Sequence, residues 1–91
     1  MSKYESITNE LTMITEDQIS ISMKRLNEIV NRIAPTGLPP SAFNNNWRIW
    51  WSNNKSSGAG RQCSGWLNAG WETDLMKSKQ GEYITFVRRP G

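Results

Sequence analysis

The stretch Gly60–Trp71, GRQCSGWLNAGW, decides how this chain is read, because it holds two of the five tryptophans and leads from a helical pattern into a strand-like one. Spacings of three and four put Cys63, Trp66 and Leu67 on one helical face. Gly70 stands where a left-handed C-terminal cap is needed, so the spacing predicts a helix over Ala59–Asn68. Arg61, Gln62, Ser64, Gly65 and Asn68 are then expected on the opposite side. Beyond the cap, Trp71, Thr73 and Leu75 alternate with Glu72 and Asp74, a polar turn KSKQG follows at Lys77–Gly81, and Tyr83–Arg89 alternates again. That pattern predicts a β-hairpin.

Upstream, Ser2 with Glu5 three residues on has the form of a capping box, and Tyr4, Ile7, Leu11 and Ile14 share one helical face. A first helix is expected from about Lys3 to Met13. Gln18–Ser22 alternates polar and apolar residues, as a short half-buried strand does, and Ser22 is placed to cap a second helix. Leu26, Ile29, Val30 and Ile33 form the apolar face of that helix, which Pro35 and Gly37 end. In LPPSAFNNNWRIWWSN, Pro40 and Ser41 suit a helical turn. Residues 43–52 stay open: Phe43, Trp47, Trp50 and Trp51 fit helical spacing, and Trp47, Ile49 and Trp51 fit strand alternation. Ser52–Gly60, SNNKSSGAG, has the composition of a loop.

In order, the elements are helix, short strand, helix, inserted segment, helix, strand, turn, strand. The expected fold is therefore α+β, a small single domain over residues 1–91 of winged-helix-like type, a helix-turn-helix variant whose third helix enters the DNA major groove. On this reading the helix at 59–68 faces duplex DNA. Arg61 and Gln62 have the chemistry to bond base edges bidentately, and Ser64 and Asn68 suit phosphate or base. Phosphate contacts are expected from Arg48, Lys55, Lys77, Lys79 and Arg89, with Arg88 beside the last. Gly65 would permit close approach of the partner.

Totals bear on the same point. The net charge is +3, and no Asp or Glu occurs from Ile29 to Trp71, a span holding Arg32, Arg48, Lys55, Arg61 and every tryptophan. An acid-free, Asn- and Ser-rich stretch with interspersed cations is the footprint of a surface that meets phosphate. Trp51, Trp66 and Trp71 are expected in the core, since a small domain depends on each large apolar side chain. Trp47 and Trp50 flank Arg48 and are candidates for stacking on an unpaired base or a partner's surface. Asn53 suits either a backbone-satisfying role or a contact.

Catalysis is not expected. The chain has no histidine and one cysteine, Cys63, so the commonest general base is missing, and neither a disulfide within the chain nor a multi-thiolate zinc site can form. No glycine-rich nucleotide loop occurs, so no cofactor and no small-molecule substrate are expected. No apolar run reaches the length of a membrane span and the N-terminus lacks the layout of a signal peptide, so membrane association is not expected and a cytoplasmic location is.

Four pieces, LPPSA (Leu38–Ala42), RIWWSN (Arg48–Asn53), QCSGWLNAGW (Gln62–Trp71) and ITFVRR (Ile84–Arg89), carry a resemblance over most of the chain. By these it resembles an uncharacterised family of small bacterial and archaeal proteins, departing from it in the longer FNNN insertion before Trp47. The resemblance implies a compact α+β unit and, because similar segments look like modules attached to other domains, a DNA-facing role. The alternative function is protein interaction, as in a small phage or mobile-element inhibitor working through Trp47, Arg48 and Trp50, residue types that dominate interfaces.

Overall fold

Local spacing accounts for most element boundaries. The computed structural model describes residues 4–53 and 60–89, with the side chain of Arg61 excepted. Helix α1 (Glu5–Thr12) buries Ile7 and Leu11, with Tyr4 buried at its start and Ile14 half-buried beyond its end. Ser2 and Lys3 lie outside the described residues, and the helix opens at Glu5 with no side-chain cap from Tyr4. Strand β1 (Gln18–Ser22) exposes Gln18, Ser20 and Ser22 and buries Ile21, which is the expected alternation. It runs directly into α2 (Met23–Asn31), where the Ser22 Oγ accepts the Arg25 N–H at 3.1 Å. Met23, Leu26, Ile29 and Val30 are buried on α2. Ile33 was expected on the same face, but the helix ends at Asn31 and leaves Ile33 exposed. Gly37 turns the chain at a φ of +66°, and a Cβ there would run into the Asn27 amide, whose Oδ1 accepts the Leu38 N–H at 2.8 Å.

The inserted segment resolves in favour of the helical spacing. Pro40–Ala42 forms a 3-10 turn, the Asn44 Oδ1 accepts the Asn46 N–H at 2.8 Å, and α3 (Trp47–Trp50) follows. Trp47, Trp50 and Trp51, at i, i+3 and i+4, all turn inward, while Ile49, which a strand would have buried beside them, is 64% exposed.

Helix α4 occupies Gly60–Leu67, and Gly70 closes it in the left-handed region at a φ of +83°. Strands β2 (Trp71–Lys79) and β3 (Tyr83–Arg88) form the hairpin. The sheet is antiparallel with order β1-β3-β2, so β3 is central and β1 and β2 are its edges. β2 runs further into the predicted turn than its alternation suggested, because it bulges: between the pairs Asp74↔Thr85 and Lys79↔Tyr83, four residues of β2 oppose the single Ile84 of β3. Ser78 fills the gap, its Oγ accepting the Thr85 N–H at 2.8 Å and donating to the Asp74 carbonyl at 2.7 Å. Among the described residues the result is an α+β domain of four α-helices, one 3-10 turn and a three-stranded sheet, with α1 packed on both α2 and α4.

Candidate nucleic-acid interface

Helix α4 is where the expected interface lies, and its register differs from the sequence reading. Gln62, Cys63, Gly65 and Trp66 are buried, Ser64 and Leu67 are half-buried, and Asn68 is exposed. Gln62 and Gly65 therefore face inward instead of toward a partner, and Leu67 sits at the rim. The reason is that α4 is covered from two sides, so its buried arc is wider than a one-faced amphipathic helix would have. On one side α1 lies so close that a Cβ on Gly65 would stand 2.9 Å from the Tyr4 carbonyl oxygen. The close approach that this glycine permits is that of α1. The Thr8 hydroxyl adds a bond across the same contact, donating to the Gly65 carbonyl at 2.6 Å.

On the other side stand the tryptophans of α3. Trp51 and Trp66 pack with ring centroids 5.3 Å apart, and both meet Phe86 of β3 edge-on at 6.3 and 6.0 Å. Trp50 connects Trp51, at 4.6 Å, to Tyr4 at 5.6 Å. Trp51, Trp66 and Trp71 are fully buried, as expected. Trp47 and Trp50 are buried too, at 6% and 8% exposure, which corrects their candidacy as stacking surfaces: their rings are committed to the interior.

Several of the polar groups among these rings are bonded inward, while the buried Trp71 Nε1 has no hydrogen-bond partner among the described residues. A helix as short as α3 leaves its last carbonyls without helical partners, and neighbours supply donors. Gln62 Nε2 donates to the Trp50 carbonyl at 3.0 Å, and the Thr73 hydroxyl donates to the Trp51 carbonyl at 2.6 Å. The Asn53 Oδ1 accepts from Trp66 Nε1 at 2.8 Å and from the Thr73 N–H at 3.0 Å, while its Nδ2 donates to the Thr73 carbonyl at 3.1 Å. Trp51 Nε1 donates to the Ala42 carbonyl at 3.1 Å, tying the 3-10 turn to the same interior. Asn53 thus pins α4 to β2, which is the backbone-satisfying role and not a contact role. Its place just after WW and nine residues before QC gave no indication of these partners, since they come from two separate elements, α4 and β2.

Outward, α4 presents Ser64 and Asn68, with Glu5 and Thr8 of α1 across a groove of about 230 Å³. Position 61 precedes these by three and seven residues, the spacing of one helical stripe; its side chain and all of Lys55 lie outside the described residues. The cations divide into bound and unbound groups. Arg25 and Arg32 both bind Glu10, at 2.9 and 3.1 Å, and Lys79 binds Glu82 at 2.9 Å. Burial pushes the Glu10 carboxyl pKa up, but hydrogen bonds and charge from Arg32 and Arg25 outweigh it and hold the group below its usual value. Bonding to Glu82, aided by its charge, raises Lys79. Arg88 lies 4.6 Å over the Trp71 ring and donates to the carbonyls of Ile14 and Glu16 at 2.9 and 3.0 Å. Arg88 thereby ties the loop before β1 to the central strand β3. Among the described residues, Arg48, Lys77 and Arg89 make no ion pair; Arg48 lies 5.2 Å from the Trp47 ring and Lys77 Nζ donates to Gln18 Oε1 at 3.1 Å. No three of His, Cys, Asp and Glu converge among the described residues into a group able to hold a metal ion, and none of the described helices is long and apolar enough to cross a membrane.

A family model described as a domain of unknown function, DUF7662, matches residues 4–90. The chain belongs to this family. The DUF7662 match takes in the inserted segment and the α3–α4 interlock together with the hairpin, so the aromatic interior falls within the family's extent. No curated protein and no solved structure matches.

Proposed function

We propose that this domain binds nucleic acid, most simply duplex DNA, with α4 toward the groove and the hairpin against the backbone. The observation that carries the proposal is topological: α1-β1-α2, then α4, then a hairpin, in a sheet of order β1-β3-β2. We read this as a winged-helix arrangement with an inserted α3 that braces the third helix from behind. The contact residues on α4 are Ser64 and Asn68, with Arg61 assigned to them from its sequence spacing; the Arg61 guanidinium and the Asn68 amide suit guanine and adenine edges. Arg48, Lys55, Lys77, Lys79 and Arg89 supply phosphate contacts, Lys79 at the cost of competing with Glu82. Gln62, Asn53, Trp47 and Trp50 are left out, because their polar groups and rings are engaged inside the fold.

Fluorescence anisotropy with a random-sequence duplex pool tests this at about 50 mM and about 200 mM salt, between which affinity should fall steeply as counterions compete for the phosphates. The double variant Arg61→Ala/Asn68→Ala should bind more weakly with an unchanged melting temperature. No association with any duplex or single strand at the lower salt ends the proposal.

One observation favours a second reading, a protein partner. Ile49 is 64% exposed next to Arg48, at a groove lined by Ser41, Asn46, Ile49 and Trp50. Exposed apolar and Arg side chains together are interface material. A partner retained by the immobilised domain from nuclease-treated lysate, and lost with Ile49→Asp, supports this reading over the first.

A further inference from the structure

β1 is an edge strand whose free edge is complementary to itself. The Arg88 N–H donates to the Asp17 carbonyl and the Met23 N–H to the Glu82 carbonyl, both at 2.8 Å. With the register Ile19↔Phe86 and Ile21↔Ile84, residues 17, 19, 21 and 23 turn their backbone groups toward β3. Gln18 and Ser20 therefore turn their N–H and C=O groups away from the sheet, and Ser22 its N–H. Among the described residues nothing bonds them. QISIS contains no proline, no charge and no bulge, the devices that ordinarily keep an edge strand from pairing.

The sequence around Ser20 has a centre of symmetry, with an isoleucine on each side. Pairing antiparallel with a second copy about a two-fold axis at Ser20 opposes Ser20 to Ser20, Ile19 to Ile21 and Gln18 to Ser22. In that register the residues brought into bonding positions are the ones whose backbone groups already face outward. Beyond the strand ends, exposed Glu16 lies just before β1 and exposed Lys24 in the first turn of α2, so the two-fold brings the acidic approach to β1 of each copy toward the basic start of α2 in the other. Beside the strand runs a groove of about 260 Å³ between β1, α1 and α2, where Ile14 and Ile19 stand beside the paired Glu10 and Arg25. Opposed residues of an antiparallel pair share a face, so the half-buried Ile19 of the second copy would come beside Ile21 at this groove.

We propose that two copies of this chain associate through β1, joining their sheets into one of six strands, three from each copy. This surface is independent of α4 and of any nucleic-acid role. Sedimentation equilibrium of the full chain over a concentration series reads it directly. Ser20→Pro removes the central outward N–H from a position where an edge strand tolerates proline. It should weaken self-association at least about tenfold. Because that change also removes the Ser20 hydroxyl from its 2.8 Å contact with Thr85, a second set of variants leaves the strand intact. Glu16→Lys and Lys24→Glu should each weaken the dimer, and the two combined should restore it. A chain that stays monomeric to about 1 mM overturns the proposal. So does a dimer indifferent to Ser20→Pro and the charge exchange, which would assign the contact to another face, and so does a monomer that takes up only an unrelated extended peptide along β1.

Discussion

Gln62 and Asn68 are both amides carried by α4 and its last turn, yet Gln62 is 6% exposed and bonded to the Trp50 carbonyl while Asn68 faces solvent. Side-chain polarity does not distinguish them. What does is the presence of an orphan carbonyl within reach: the end of α3 offers one to Gln62, and among the described residues no such carbonyl bonds the Asn68 side chain. The same contrast separates the two sides of α4. Its inner side is held by three elements at once, through rings, through Gly65 against α1, and through Asn53 between Trp66 and Thr73. Its outer side shares a groove with Glu5 and Thr8. A helix fixed so firmly from behind is a rigid platform, and rigidity on one side is what a presenting surface on the other requires.

Substitutions that cross from one side to the other test this contrast. The largest effect is expected from Trp66→Ala, which empties the centre of the aromatic interior and should cost about 3–5 kcal/mol in urea unfolding. Asn53→Ala comes next, at about 2–4 kcal/mol, since it leaves both the Trp66 indole N–H and the Thr73 N–H without their acceptor. Asn53→Asp keeps that acceptor and should lose less; equal losses would mean that the hub's contribution lies in packing and not in these bonds. Gly65→Ala should lower stability by about 1–3 kcal/mol despite alanine's better helix propensity, because the new methyl meets the α1 backbone. A stabilised Gly65→Ala variant would show that α1 yields easily and that the inner side is not rigid. Among the amides, Gln62→Ala should cost about 1–2 kcal/mol and Asn68→Ala less than about 0.5 kcal/mol.

The smallest effect concerns pH. Glu10 has a folded-state pKa below its unfolded value, so its ionised form is favoured by folding. That contribution is present above the usual carboxylate value of 4.5 and is lost as pH falls through the lower folded value. Glu10→Gln should flatten the acid limb of the stability profile by less than about 1 kcal/mol, since both arginines are about half exposed. An unchanged limb would mean that the Glu10 pairs with Arg25 and Arg32 contribute nothing to folding.

Much of the architecture was legible from local pattern. β1 falls on the residues its alternation indicated, Ser22 caps α2, Pro40 opens a turn, Gly70 closes α4, and the order of elements stands. Each depends on chemistry within a few residues: a hydroxyl before a helix, a fixed φ, a glycine without a Cβ. Ile33 was misjudged because α2 ends in a local turn after Asn31, and the length of β2 because a longer-range contact intervened, the bulge being held by Ser78 against Thr85. The candidate site was less legible. That Gln62 turns inward depends on α3, twelve residues earlier, and the joint burial of Trp47 and Trp50 followed only from the helical spacing, which strand alternation through Trp47, Ile49 and Trp51 rivalled.

Taken alone, the amino-acid order determined the order of most elements and several of their ends, and that the tryptophans crowd into one acid-free span with cations interspersed. Tertiary structure alone decided which side of α4 is the outside, which cations remain unpaired, and that β1 is left with an open edge. The physical reason is one of range: capping, turn formation and periodic burial are settled between near neighbours. The fate of a buried amide or a strand's outward N–H is settled by whichever distant carbonyl, ring or strand the fold brings beside it.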